Sequence, residues 1–321
     1  MNHDVLVIGA SAGGPEVLLD MVPHLPADLP ASVFVVLHTP PTMPSPLPEL
    51  LSRRGRLPAT HPLHGEKILP GRIYIAPPDN HLLLRDGSMQ VVRGAKENGH
   101  RPAVDALFRS ASAAYGSRVV GVVLSGYQDC GTAGMMSIQA RGGATVVQAP
   151  ETALVDEMPR SVIKRIRVDH VVPPSELPAL LARLAAAPAA PPKQPEPVID
   201  QLEGTAPGRP AELVCPMCAG VLTEAEFRGF HQFRCHVGHA FTLDTLVREQ
   251  GEAMERAMWA AVRALEESAA LALRLSITER GDLRARFAEK AATHAQQAEF
   301  IRQTLLHGTS LAAGVTPALT Q

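Results

Sequence analysis

The 321-residue sequence predicts an α/β domain built on a parallel sheet with helices on both faces, followed by a small Cys/His knuckle and α-helices. Three observations carry this reading. Short, nearly continuous apolar runs such as VLVIG, VFVVLH and VVGVVLSG alternate with helical stretches, the pattern of parallel strands covered on both faces. Residues 186–211 hold seven prolines and two glycines and show no periodicity that could build a core. Three of the four cysteines then gather among histidines between 215 and 239.

In chain order, strands are expected at VLVIG, VFVVLH, RIYIA, VVGVVLSG, ATVVQA and DHVV. Helices are expected near 15–22, 45–54, 103–115, 132–141, 159–165 and 175–185. Their alternation gives a three-layer, Rossmann-like domain over residues 1–185. A Pro-rich linker follows at 186–211, then a knuckle at 212–241. A helical hairpin or coil is expected at 242–310, from stretches at 243–276 and 282–306 separated by TERGD. In the first stretch Leu246, Met254, Met258, Ala261, Leu265 and Leu273 fall mostly at helical spacing, so one face needs a partner. Homodimerisation through these helices would supply one.

Composition narrows the function. A net charge of −2 with 19% charged residues argues against nucleic acid or a membrane surface as partner. No run reaches the roughly 18 apolar residues of a bilayer span, so no membrane insertion is expected. MNHDVLVIGA opens on a strand pattern rather than a basic leader, which implies a cytoplasmic protein. Cysteines packed among histidines also suit a reducing compartment better than a disulfide framework does.

The first strand runs into Gly9-Ala10-Ser11-Ala12-Gly13-Gly14-Pro15, which fits the G-x-S-x-G nucleophile elbow, with Pro15 where a helix can begin. Such a turn exposes a serine and aims backbone N–H groups, Ala12 among them, at a forming oxyanion. The competing reading is a tight Gly-rich turn, or a phosphate-binding turn of a nucleotide fold. Ser11, however, stands where G-x-G-x-x-G needs its second glycine, and no acidic residue clearly ends the second strand. His38 ends that second strand, and strand carboxyl ends form the functional edge of an open α/β sheet. It can take the serine proton and return it to a leaving group. VVGVVLSG delivers Asp129 to the same edge, so a carboxylate is available to orient the base. The chain order Ser, His, Asp differs from the Ser, Asp, His order of α/β-hydrolases.

With these residues in view, VLVIGASAGG, VVLHTPP, GRIYIAPPDNHLLL, HRPAVDALFRSAS, VVGVVLSGYQDCGTAGM and EMPRSVI together resemble the catalytic domain of the chemotaxis protein-glutamate methylesterase, CheB, over about residues 4–184. The resemblance implies hydrolysis of methyl esters on receptor glutamates, and deamidation of certain glutamines, through an acyl-serine intermediate. It implies no catalytic cofactor, and a methyl-accepting chemoreceptor or receptor-like protein as partner. By position Ser11 matches the nucleophile and His38 the base. The family's aspartate before G-[AT]-A-G-[ML] is here Cys130, a weak hydrogen-bond acceptor that cannot stabilise an imidazolium as a carboxylate does. Asp129, one position earlier, is the carboxylate taken as its replacement. An alternative follows from the substitution: a catalytically impaired scaffold that only binds. Family members typically carry an N-terminal receiver domain, which this sequence does not show, so control is expected from a regulator in trans or from the C-terminal module.

Cys215-Pro-Met-Cys218, sixteen intervening residues, then Cys235-His236-Val-Gly-His239 form two ligand pairs suited to tetrahedral zinc. Cys215, Cys218, Cys235 and His239 are the expected ligands. His236 is the alternative to His239, and adjacent residues rarely bind one ion together. With no fourth position left open, the zinc would be structural. A redox C-x-x-C or simply buried thiols are the competing readings. CPMC and FRCHVGHAFT are also similar to segments behind the esterase domain in some CheB-like proteins.

Overall fold

The computed structural model describes residues 2–194, 208–227 and 229–307. These divide into two compact units, Met1–Thr245 and Leu246–Gln321. Part of the Pro-rich stretch, 195–207, and the last three residues of the 242–310 segment lie outside the described residues.

The first unit is organised by a seven-stranded sheet. In chain order its strands are β1 (Val5–Ala10), β2 (Ser32–Leu37), β3 (Ala59–Thr60), β4 (Ile73–Ile75), β7 (Val119–Val123), β8 (Ala144–Gln148) and β9 (His170–Val172). Between β4 and β7 lies an antiparallel hairpin, β5 (His81–Arg85) and β6 (Ser88–Val92), outside the main sheet. The spatial order is β3-β4-β2-β1-β7-β8-β9, and every pairing is parallel. All six residues of β1 and of β2 are buried, which is why their sequences run apolar without alternation.

Helices α1 (Gly14–Met21), α2 (Leu47–Arg54), α3 (Val104–Tyr115), α4 (Thr132–Ala140), α5 (Glu157–Arg165) and α6 (Leu177–Ala186) cover the two faces. Leu6, Ile8 and Ala10 of β1 pack with Leu18, Leu51 and Leu181 of α1, α2 and α6 on one side. Val5 and Val7 pack with Leu107, Phe108 and Met135 of α3 and α4 on the other. β1 leads to β2 on one side and β7 leads to β8 on the other. The order of connections therefore reverses between β1 and β7, where α/β sheets open a crevice at their carboxyl ends.

A second, antiparallel sheet follows: β10 (Arg209–Val214), β11 (Val221–Phe227), β12 (Phe230–Cys235) and β13 (Ala240–Thr242). Its first strand begins inside the stretch that composition marks as linker. Pairing with β11 orders a segment that has no periodicity of its own. The C-terminal helices are α7 (Leu243–Thr278) and α8 (Asp282–His307). In the second unit they fold back on each other, with His294 Nδ1 2.9 Å from Ser268 Oγ and Arg302 paired with Glu266. No helix among the described residues is long and apolar enough to cross a membrane.

Candidate active site

Ser11 follows β1 directly and His38 follows β2 directly. The two strands pair in register with Ala10 opposite Leu37, and the His38 N–H donates to Ala10 O at 3.1 Å. Parallel neighbours lie about 4.8 Å apart, so serine and histidine come to the same edge side by side. The turn after Ser11 closes tightly, with Gly14 N–H donating to Ser11 O at 3.0 Å. Gly13 caps α1 at φ 80°, a left-handed conformation that favours glycine. Beyond β7 the chain passes close to the serine: Ser11 N–H donates to Ser125 O at 3.0 Å, and a Cβ on Gly126 would stand 2.7 Å from Ser11 Cβ. Ser125 Oγ then ties Ala12 O to Val155 O at 2.7 and 3.1 Å. The serine turn is thus pinned between β1, β7 and the segment leading into α5.

Ser11 and His38 line one cleft of about 350 Å³ with Thr39, Pro40, Pro41, Lys96, Gly99, His100 and Arg101. The His38 ring lies flat on the His100 ring, centroids 3.7 Å apart and planes 10° apart. Both His38 ring nitrogens are buried and have no hydrogen-bond partner among the described residues. Burial first, and then the neighbouring His100, hold this imidazole well below the usual 6.5. The imidazole is neutral at neutral pH.

Among the described residues Asp129 makes no hydrogen bond to the His38 ring. Its Oδ1 accepts hydrogen bonds from Thr242 Oγ1 at 3.0 Å and Thr245 Oγ1 at 3.3 Å, both from the C-terminal side of the knuckle. Burial is the main reason its carboxyl is pushed up to about 7, against the lowering effect of the Thr242 bond and with the Asp105 and Asp244 charges adding to the rise. The Asp129 Oδ1 expected to orient His38 is engaged instead by Thr242 and Thr245. Cys130 turns into the core between sheet and helices, packed with Val104 and Val123 and 1% exposed. Burial raises its thiol well above its ordinary value. Asp105, fully buried in the first turn of α3, accepts from Gly134 N–H at 2.7 Å and Asn98 Nδ2 at 2.9 Å.

Local sequence pattern does not by itself single out His100, Lys96 or Arg101. The signal was present in HRPAVDALFRSAS, which opens on His100 and Arg101. Their position against His38, however, depends on how the loop after β6 folds over the sheet edge. Arg101 is anchored there by Asp79 at 2.8 Å and by Gly94 O at 2.7 Å.

In the knuckle, ligand atoms of Cys215, Cys218, Cys235 and His239 all lie within 4.8 Å of one another. Cys218 Sγ is 3.6 Å from Cys235 Sγ, and His239 Nδ1 is 3.5 Å from Cys235 Sγ and 3.7 Å from Cys215 Sγ. Ligands at about 2.3 Å from a tetrahedral centre would stand about 3.8 Å apart, so the donor set fits a small thiophilic cation. The cluster can bind a metal ion through these four residues, His239 rather than His236 facing the cysteines.

The fold and site define an α/β domain that presents a serine and a neutral histidine together at the carboxyl edge of a parallel sheet. The CheB methylesterase family model matches residues 6–181, and the chain belongs to that family. A protein-glutamate methylesterase/protein-glutamine glutaminase of Geobacter metallireducens is 39% identical over 184 residues, covering 56% of this chain and 50% of that protein. One of Thermotoga maritima is 36% identical over 188 residues, covering 57% and 55%. The crystal structure of the Thermotoga maritima CheB methylesterase catalytic domain superposes with a TM-score of 0.54 at 35% identity, covering 56% of this chain and 98% of that one. The chain spans about half the length of the curated relatives it matches.

Proposed function

We propose that the chain is a protein-glutamate methylesterase, with glutamine deamidation as a second activity, acting on a methyl-accepting chemoreceptor or receptor-like protein. The observation that carries it is the pairing of Ser11 and His38 on one cleft at the ends of neighbouring strands. Ser11 Oγ attacks the ester carbonyl while His38 accepts its proton. The Ala12 N–H, in the turn that leads into α1, is offered to the developing oxyanion, helped by the positive end of the helix. Collapse breaks the bond to methoxide, His38 returns the proton, and methanol leaves an acyl-Ser11. Water then attacks with His38 again as base, releasing the glutamate carboxylate and restoring Ser11. No cofactor is needed for these steps.

In this reading Asp129 is a structural group, and the imidazolium that forms on His38 is stabilised without it. Family membership and the relatives' names favour the esterase over a scaffold that only binds. A zinc ion held by Cys215, Cys218, Cys235 and His239 would be structural, since four protein ligands complete a tetrahedral shell. A cytoplasmic location, a regulator in trans and self-association of the C-terminal helices complete the proposal. The last is supported by exposed Leu271, Leu273 and Ile277 on α7.

Methanol release from methylated receptor tests the activity. Ser11→Ala and His38→Ala should each lower kcat by roughly 10⁴ or more without loss of fold, as for other serine–histidine pairs. Release at the wild-type rate by either variant would remove that residue from the mechanism.

A further inference from the structure

The knuckle does not merely follow the esterase domain; it grips the loop that forms one wall of the cleft. Asn98 is the centre of this grip. It is 1% exposed, and its backbone sits at φ 50°, in the left-handed region. Its N–H donates to Ala240 O at 2.7 Å, and its Oδ1 accepts from Thr242 N–H at 3.0 Å, so backbone and side chain both hold β13. Its Nδ2 donates to Asp105 Oδ2, fastening the same point to α3. One residue earlier, Glu97 is buried between Arg109 of α3 at 2.7 Å and Arg234 of β12 at 3.8 Å. Burial alone would raise the Glu97 carboxyl, yet Arg109 and Arg234 hold it down at about 2. One residue earlier again, Lys96 O accepts from Ala240 N–H at 3.4 Å.

The knuckle residues that make these contacts adjoin the Cys/His cluster. Arg234 precedes Cys235 and Ala240 follows His239, and Cys235 N–H donates to His239 O at 3.0 Å across the turn between them. The loop residues that receive the contacts run directly into Gly99, His100 and Arg101 at the cleft. An apolar seam of Ala225 and Phe230 against Ala133 and Met136 of α4 seats the same sheet beside Asp129. Loops that place catalytic groups are ordinarily the less stable parts of a fold. Here a second sheet supplies the order.

We propose that the Cys/His knuckle is an intramolecular clamp on the catalytic cleft, and that Asn98 is the positioning residue through which it sets His100 against His38. A metal in the cluster would stiffen the turn between Cys235 and His239 and with it the loop at 96–101. The kinetic half of this inference rests on the esterase reading; the structural half does not.

The test uses the full chain, zinc-loaded and chelator-treated, with Asn98→Gly as the variant. Glycine accommodates the left-handed backbone and its N–H bond and removes the side chain that holds Thr242 and Asp105. Amide hydrogen exchange at 95–101 should accelerate both on stripping wild-type protein and in Asn98→Gly, while exchange in β1 and β7 stays slow. In the zinc-loaded variant kcat/KM should fall about tenfold or more, because small displacements of a catalytic group are costly. Its acid limb should move up toward the usual histidine range as His38 loses its packed neighbour. Exchange at 95–101 that is unchanged by both treatments overturns the clamp. Accelerated exchange with an unmoved acid limb and wild-type kcat/KM overturns the positioning role. If wild-type protein hydrolyses no methyl ester but the exchange responds, the esterase reading fails and the clamp stands.

Discussion

The imidazole of His38 stacks on that of His100 at a centroid distance of 3.7 Å, with neither His38 ring nitrogen hydrogen-bonded among the described residues. An imidazole in this setting is tuned by burial and by a neighbouring ring rather than by a carboxylate. Because burial and His100 both lower its pKa, His38 stays neutral and able to accept a proton at pH values well below 6.5. The acid limb of kcat/KM should therefore lie well below pH 6.5. His100→Ala removes the second lowering influence and opens the ring to water, so the limb should shift upward. A wild-type limb at or above 6.5 would show that the burial is not retained in solution.

Asp129 gives a stability prediction of opposite chemical sense. Its carboxyl is raised from 3.8 to about 7 in the folded state, so the native protein holds a proton that the unfolded chain has already lost between those values. Stability should be greatest below about pH 4 as far as this group is concerned, and should fall as pH rises to about 7, by at most about 4 kcal/mol. Asp129→Asn can still accept from Thr242 and Thr245 and carries no charge. It should flatten that slope and melt higher than wild type at pH 8. Since Asp129 makes no hydrogen bond to the His38 ring among the described residues, kcat should change less than about threefold, whereas a lost triad carboxylate costs about 10⁴ in the serine-protease example.

Gly126 offers a test of the packing behind Ser11. An added Cβ would stand 2.2 Å from Met158 Sδ and 2.7 Å from Ser11 Cβ. Gly126→Ala should cost about 1–3 kcal/mol through overpacking and should lower kcat by displacing Ser11. Denaturation midpoints together with ester hydrolysis would measure both effects. Wild-type values for each would mean that the turn accommodates the methyl group.

The thiols divide into two populations. Cys215, Cys218 and Cys235 share the cluster, while Cys130 is buried in the core with its thiol raised. Thiolates react and thiols do not, so a maleimide reagent should modify the three knuckle cysteines once a chelator is added and leave Cys130 untouched until denaturant is present. Peptide mapping of the labelled protein reads this directly. Modification of Cys130 in native protein would contradict its placement.

What the sequence by itself determined is what local patterning can encode. Apolar runs without alternation marked β1, β2 and β7 as strands of a covered parallel sheet. The small residues around Ser11 announced a sharp strand-to-helix turn, and Cys-x-x-Cys with Cys-x₃-His announced four converging ligands. Each of these signals lies within one element or one turn, where backbone geometry follows from neighbouring residues. The β10 strand escaped that reading because its order comes from pairing with β11. Only the tertiary structure decided the rest of the site. Thr242 claims the Asp129 carboxylate across 113 residues of sequence, His100 covers His38, and Asn98 ties the cleft to β13. Adjacent side chains such as Asp129 and Cys130 point in different directions, and which one meets a partner depends on the surfaces packed around them. Chain-distant packing of this kind leaves no periodicity or spacing in the sequence from which it could be read.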